Sequence, residues 1–382
     1  MRKQVLILSV FSVLISFSTC AINFSRVNVA WQYDVNFPVK MAHRVVDTEK
    51  GTIIFLRVSA DSLRSWEYEF LVQDGFETEA HRTLQRITID SLLDVKNQTV
   101  LKIEIPEMKE KLLIVKFSKP ENFYYYDISL QIGVLSYPAI YPVDENGLPI
   151  LEKYINRSGF SWKGNDSFLA MKYVEAFPPA DPPMADMKPL APQVNMDTAF
   201  AFGEGVVFEE NNFYVVRKDS LATSGVTMLR IPPYFPEYRQ LGELIESMLY
   251  LTSEPERKAM LASKNPKQSF DSFWMNTFST KSRARNAIRK YYNWVENANI
   301  LFTDFKPGWK TDRGMMYIVF GKPDEVYRTG SSEEWYYDDG SAFEFTIIST
   351  FFAPKTYSLR RKIDFEEQWY TQIAAIRSGI NE

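Results

Sequence analysis

The chain has 382 residues, with 44 Lys and Arg against 48 Asp and Glu, a formal charge of −4 and an apolar fraction of 45%. Those values describe a globular protein and exclude a disordered chain and a basic nucleic-acid binder. One cysteine, Cys20, and two histidines, His43 and His81, exclude a Cys/His zinc site, a disulfide framework and a cysteine–histidine nucleophile pair, so no metal or cofactor is expected.

Residues 1–20 have the three parts of a secretory signal. Arg2 and Lys3 make a positive start, Val5 to Phe17 is an apolar run, and Ser18, Thr19 and Cys20 are small. The run is shorter than the roughly 20 residues that a membrane-spanning helix needs. Two outcomes are open. A signal peptidase cleaves after Cys20, or Phe17-Ser18-Thr19-Cys20 acts as a loose lipobox and Cys20 becomes the acylated first residue. An exported protein of the cell envelope is expected in both cases, lipid-anchored (at the outer membrane) or free in the periplasm.

From 21 to 134 the pattern is that of strands. Val27–Trp31, Trp66–Phe70, Arg86–Asp90 and Val100–Ile105 alternate with period two, while Thr52–Val58 and Leu112–Val115 are β-branched or apolar runs. Phe123–Ile128 completes the set. Short strands with turn signals between them predict an antiparallel, immunoglobulin-like β-sandwich. A second β-rich region follows over 135–236, with strands at Phe168–Val174 and Asn212–Val216. Between them Pro178, Pro179, Pro182, Pro183, Pro189 and Pro192 predict an extended loop over 178–192.

From 237 to 382 the period becomes helical and then mixed. Leu241, Leu244, Ile245, Met248 and Leu249 share one helix face, and Ser253 with Pro255 and Glu256 marks a helix start. Ser282–Phe302 predicts the longest helix, with a stripe of Ile288, Tyr291, Tyr292, Val295, Ala298 and Asn299. Its opening is basic, with Lys281, Arg283, Arg285, Arg289 and Lys290. Met315–Phe320 reads as a buried strand ended by the turn Gly321-Lys322-Pro323-Asp324. Glu334–Tyr337 and Ala342–Ile347 flank an Asp339-Gly340 hairpin, and Phe365–Ile376 is a closing helix. The whole is a multidomain β and α+β chain: a sandwich, a second β-rich region, a helical lead-in and a C-terminal α+β domain.

Signatures of catalysis are few. Gly203-x-Gly205 lacks the third glycine of a dinucleotide loop, and no nucleophile elbow, Walker loop or HExxH helix occurs. Carboxylates such as Asp304, Asp312 and Asp324 are available for acid–base work, although Asp312 and Asp324 sit in turn contexts that favour backbone bonding.

One cluster is distinctive: Gly308-Trp309-Lys310-Thr311-Asp312-Arg313-Gly314, then Tyr317-Ile318 and Phe320-Gly321-Lys322-Pro323-Asp324. It resembles the GWxTD domain, found mainly in envelope proteins of Bacteroidetes. The resemblance extends from about Phe270 to Phe345 through Phe273-Trp274, Tyr291-Tyr292, Asn299–Phe302, Trp335-x-Tyr337 and Phe343-x-Phe345. Met275-Asn276-Thr277 stands where members often have Arg-Asp-Pro. The resemblance implies an envelope address and an architecture, with no established activity.

Physically, Gly308 permits a bend, Trp309 buries as an anchor, and Thr311 and Asp312 bond local amides. Arg313 is expected to pair with Asp304, Asp312 or Asp324. Together with Gly314, Gly321, Pro323, Asp324, Trp335 and Tyr337 these residues form either a fold-defining corner or a groove for a peptide or glycan. The expected function is that of a non-catalytic binding or scaffold module for a protein partner or envelope polymer, with no nucleic acid and no membrane contact beyond a lipid anchor. A carbohydrate- or peptidoglycan-binding module is the alternative, followed by a hydrolase that uses carboxylates alone.

Overall fold

Strand-forming runs in the first third of the chain pair as period-two patterning requires. The computed structural model describes residues 22–379 except 61–65, 80, 85–86, 120–121, 131–137, 165–167, 174–176, 186–197, 202–207, 223–224, 279, 351–352 and 354. Cys20 with its leader, and Arg86, Tyr137, Val174, Pro189, Pro192, Gly203 and Gly205, lie outside the described residues.

Eight strands form the N-terminal part: β1 (Val39–Thr48), β2 (Gly51–Ala60), β3 (Glu67–Gln73), β4 (Arg82–Thr83), β5 (Thr88–Val95), β6 (Gln98–Ile105), β7 (Leu112–Lys119) and β8 (Asn122–Ser129). They make two four-stranded sheets, ordered β1-β2-β6-β5 and β4-β3-β7-β8, with every pairing antiparallel. That order is the A-B-E-D and C′-C-F-G arrangement of an immunoglobulin-like sandwich. Val72, Leu113, Val115, Phe117, Tyr126 and Ile128 fill its interior together with Ile54, Leu56 and Ile103 from the facing sheet.

The second sheet is covered on both sides. Leu71, Leu112, Ile114 and Tyr125 point the other way and join the core of the C-terminal region, beside Trp274, Trp309 and Trp335. Burial on both faces explains why Leu112–Val115 reads as an unbroken apolar run instead of an alternation.

Val27–Trp31, expected as a strand, is irregular instead. Phe24–Arg26 and Ala30–Tyr33 are 3-10 turns. Asn28 overrides the alternation, because its Oδ1 accepts from the amides of Ala30 (2.9 Å) and Val326 (3.0 Å) and so fastens the segment to the C-terminal region.

Next come β9 (Tyr141–Asp144), β10 (Tyr154–Ile155), β11 (Phe160–Lys163), β12 (Leu169–Tyr173), β13 (Thr198–Ala201), β14 (Asn212–Arg217) and β15 (Val226–Arg230). Five of them form one sheet in the order β10-β15-β14-β12-β13, and β11 pairs with β9. The described part of the proline-rich loop is irregular and runs alongside the C-terminal region, where Ala180 N–H donates to the Lys310 carbonyl at 2.9 Å.

Among the described residues six α-helices and four strands follow. They are α1 (Leu241–Ser247), α2 (Glu254–Ala262), α3 (Pro266–Phe278), α4 (Lys281–Phe302), α5 (Asp312–Phe320), β16 (Glu325–Arg328), β17 (Ser332–Tyr336), β18 (Ala342–Ile348), β19 (Thr356–Leu359) and α6 (Phe365–Ser378). Ser253 caps α2 in a capping box with Glu256, as its sequence signals. The four strands form an antiparallel meander, β16-β17-β18-β19, with Asp339-Gly340 in the expected turn.

Met315–Phe320 is helix, not strand. Thr311 caps it, and Met315, Met316, Tyr317, Ile318 and Val319 are all buried. A helix enclosed on every side shows no amphipathic stripe, so its apolar run imitates a buried strand. Among the described residues no helix is long and apolar enough to cross a membrane.

Candidate functional site

The chain leaves α4 at Phe302 and makes a 3-10 turn at Gly308–Lys310 before α5 begins. Thr311 holds both ends of this corner. Its Oγ1 donates to the Gly308 carbonyl at 2.7 Å and accepts from Gly314 N–H at 3.0 Å. Thr303 Oγ1 accepts the Gly308 amide at 2.9 Å.

The two glycines are required for space. A Cβ on Gly308 would lie 1.9 Å from the Ala298 carbonyl oxygen, and one on Gly314 would lie 1.9 Å from that of Gly308. Gly308 therefore serves close approach of the turn to α4 rather than an unusual backbone angle. Gly321, at φ +83°, does take the left-handed region, where it ends α5.

Trp309 is 2% exposed, and its polar atoms are all engaged. Its amide donates to Asn299 Oδ1 (3.1 Å), its indole N–H to the Tyr238 hydroxyl (2.7 Å), and its carbonyl accepts from the Tyr250 hydroxyl (3.1 Å). Burial pushes the Tyr238 phenol above its ordinary value, so it stays protonated. Asn299 is fully buried and also donates to the Pro236 carbonyl at 3.0 Å.

Asp312, expected to bond local amides, bonds none among the described residues; Thr311 alone does so. Asp312 accepts from Leu359 N–H at 2.6 Å and takes both Arg361 guanidinium ends, at 2.9 and 3.1 Å. Arg361 continues to the carbonyls of Asp181 (2.9 Å) and Pro182 (3.3 Å), and so ties the proline-rich loop to the motif. A cleft of about 190 Å³ lies here, lined in part by Pro178, Asp304, Lys306, Asp312 and Tyr357. Burial brings the Lys306 ammonium down to about 8, with Lys310 and Arg361 adding to the effect, and its Nζ donates to the Pro178 carbonyl at 3.0 Å.

Arg313 pairs with none of the three aspartates expected for it. Its guanidinium lies 3.5 Å from the centre of the Tyr357 ring and donates to Glu333 (3.4 Å) and the Tyr33 hydroxyl (3.1 Å). Glu333, fully buried on β17, also receives Arg328 Nε (2.7 Å), the Tyr33 hydroxyl (2.7 Å) and the Trp335 indole N–H (2.8 Å). Burial alone would raise the Glu333 carboxyl, but Arg328 and Arg313 more than offset it and hold the group below the ordinary range. Arg328 then reaches Asp127 on β8 at 2.5 Å. Two guanidinium groups and two carboxylates balance in charge within this buried cluster.

Of the residues singled out in the sequence, Gly308, Trp309, Thr311, Asp312, Arg313 and Gly314 meet at the corner. Trp335, fully buried, joins Arg313 through Glu333. Tyr337 donates its hydroxyl to the Gly321 carbonyl at 3.2 Å, and Pro323 is buried beside that turn. Asp324 is exposed and away from the corner, where its Oδ2 accepts Asp338 N–H at 2.8 Å. Asp304 shares the cleft with Asp312 but pairs with Lys153 at 3.1 Å, and Asp324 does not line it.

The sequence reading missed Tyr33, Asp127, Arg328, Glu333 and Arg361. The available signal was Glu333, which falls in register with inward-facing Trp335 on β17 and so places a charge inside. The GWxTD domain family model matches residues 212–378. That match begins at β14 and ends with α6, well outside the motif on both sides. No curated protein matches the chain.

Proposed function

The chain is a GWxTD domain-containing protein, with the domain over residues 212–378, and from that premise we propose that it is a non-catalytic exported envelope protein that works by binding. In this reading the sandwich and the second β-rich region present the C-terminal domain to a protein partner or envelope polymer. Export rests on the leader at 1–20, with Cys20 either acylated or removed.

The observation that carries the reading is where the motif spends its polar atoms. Asp312 is saturated by Arg361 and the Leu359 amide, Arg313 by Glu333, Tyr33 and Tyr357, and Trp309 by Asn299, Tyr238 and Tyr250. A fixed set of such pairs makes a rigid platform, because each charged group is held in one geometry by its partners. Trp309 and Trp335 are 2% and 0% exposed, so a sugar has no stacking face at either, which weakens the carbohydrate reading.

Crosslinking in intact cells followed by pull-down from membranes tests the proposal. Recovery of one specific envelope partner supports it; recovery of none counts against it. Co-sedimentation with purified cell wall would instead favour the carbohydrate alternative.

A further inference from the structure

A second and larger cleft lies at the C-terminal end of α5, the opposite end from the motif. It measures about 590 Å³, within the range of roughly 300–1,000 Å³ typical of small-molecule sites. α3, the opening turns of α4, the end of α5 and the end of α6 enclose it. Trp274, Phe278, Trp294, Ile318 and Ile376 make its walls apolar.

Charge in the cleft has one sign. Arg283 and Lys290 are both exposed at its rim, and among the described residues the lining contains no carboxylate. Neither cation is paired with a carboxylate among the described residues. Arg283 sits in the first turn of α4, which has no acidic residue there, so it works against the helix dipole. Trp274 also lines the cleft and is 1% exposed; among the described residues its indole N–H has no hydrogen-bond partner.

Apolar walls and an all-cationic rim together specify an anionic amphiphile. We propose that this cleft binds a molecule with one anionic headgroup, held by Arg283 and Lys290, and an acyl chain laid over Trp274, Trp294 and Ile318. Fatty carboxylates and alkyl phosphates share that chemistry. The site is separate from the motif corner and does not depend on the partner-binding reading above.

Titration calorimetry on the full chain with dodecanoate, dodecyl phosphate and dodecanol, each below its micelle threshold, tests the proposal. Both anions are expected to bind, with dodecanol at least tenfold weaker, and the tighter anion identifies the headgroup. Decanoate should bind about tenfold more weakly than dodecanoate, as the loss of two buried methylenes requires. The double variant Arg283→Glu/Lys290→Glu should weaken both anions at least tenfold without lowering the thermal melt, since both side chains are exposed and an acid suits the first turn of α4. Ala287→Trp, at a lining position on α4 between the two cations, should fill the cleft and weaken both anions at least tenfold. Dodecanol binding as tightly as the anions, unchanged anion affinity in the double variant, or no binding of any probe would overturn the proposal. Crosslinking that still recovers a partner in that event would leave the partner-binding reading standing.

Discussion

Arg328 and Asp127 are 201 residues apart in sequence, yet their side chains meet at 2.5 Å. Both are nearly buried, with 10% and 5% of the side chain exposed. Arg328 belongs to the C-terminal meander and Asp127 to the last strand of the sandwich, so the pair crosses the contact between the two. Gln32 bridges it from the N-terminal segment, accepting from Arg328 at 2.8 Å and donating to Asp127 at 3.2 Å. The GWxTD region is thus clamped to the sandwich by charge as well as by the shared apolar core.

Removing one partner leaves the other charged, buried and unpaired, which costs about 3–5 kcal/mol. Arg328→Met is therefore expected to be the more damaging single change, because it leaves Asp127 without its guanidinium partner and takes one of two from Glu333, which keeps Arg313. Asp127→Asn keeps the shape and should cost less. Urea denaturation of the two single variants and the double variant checks this, and a double-mutant cycle with no coupling would contradict the clamp.

His43 on β1 makes stability depend on pH. Its Nδ1 lies 2.8 Å from the Tyr126 hydroxyl inside the sandwich. Burial lowers its pKa from 6.5 to about 4, with Lys355, Lys153 and Arg44 lowering it further and Asp127 opposing them. A folded pKa below the unfolded one means that the unfolded chain binds the extra proton first. Stability should therefore fall as pH drops from about 6.5 to about 4, by at most about 3 kcal/mol from this residue. His43→Gln should flatten that part of the stability–pH curve measured by denaturant melts between pH 7 and pH 4. An unchanged slope would remove His43 as the cause.

Three glycines provide a graded test of close packing. Gly308→Ala and Gly314→Ala push a Cβ to within 1.9 Å of a backbone carbonyl oxygen, which forces α4, the turn and α5 apart. Each should cost about 1–3 kcal/mol or more. Gly242 is in α1, and a Cβ there meets nothing within 4 Å. Gly242→Ala should stabilise by roughly 0.5–1 kcal/mol. Opposite signs in the thermal melt are the expected result.

Elements whose signals are local were legible in the sequence. The capping box at Ser253 and Glu256, the long helix with Tyr291, Val295 and Ala298 on its inner stripe, and the Asp339-Gly340 turn all follow from near neighbours. The immunoglobulin-like order of the sandwich was also within reach, since period-two alternation marks most of its strands. Met315–Phe320 was not, because enclosure on all sides erases the difference between helix and strand patterning. Val27–Trp31 failed because Asn28 spends its side chain on a contact 298 residues away. The same limit hides the partners of the motif. Nothing near Arg313 points to Tyr33, Glu333 or Tyr357, which only tertiary packing brings together.

The motif itself offers the sharpest separation between a structural corner and an exposed recognition surface. Trp309→Ala empties a buried site and strips the indole hydrogen bond to Tyr238, at a cost of about 3–5 kcal/mol. Trp309→Phe keeps most of the volume and loses the indole bond to Tyr238, so it should cost much less, about 1–2 kcal/mol. Asp312→Asn weakens the bidentate hold on Arg361 and with it the link from Arg361 to the carbonyls of Asp181 and Pro182. Limited proteolysis of that variant should cut the proline-rich loop faster than in the native chain, and Arg361→Ala should reproduce the effect. If Trp309→Ala and Asp312→Asn melt with the native protein, the corner does not hold the domain together. Loss of partner capture in those two well-folded variants would then place recognition at the motif itself.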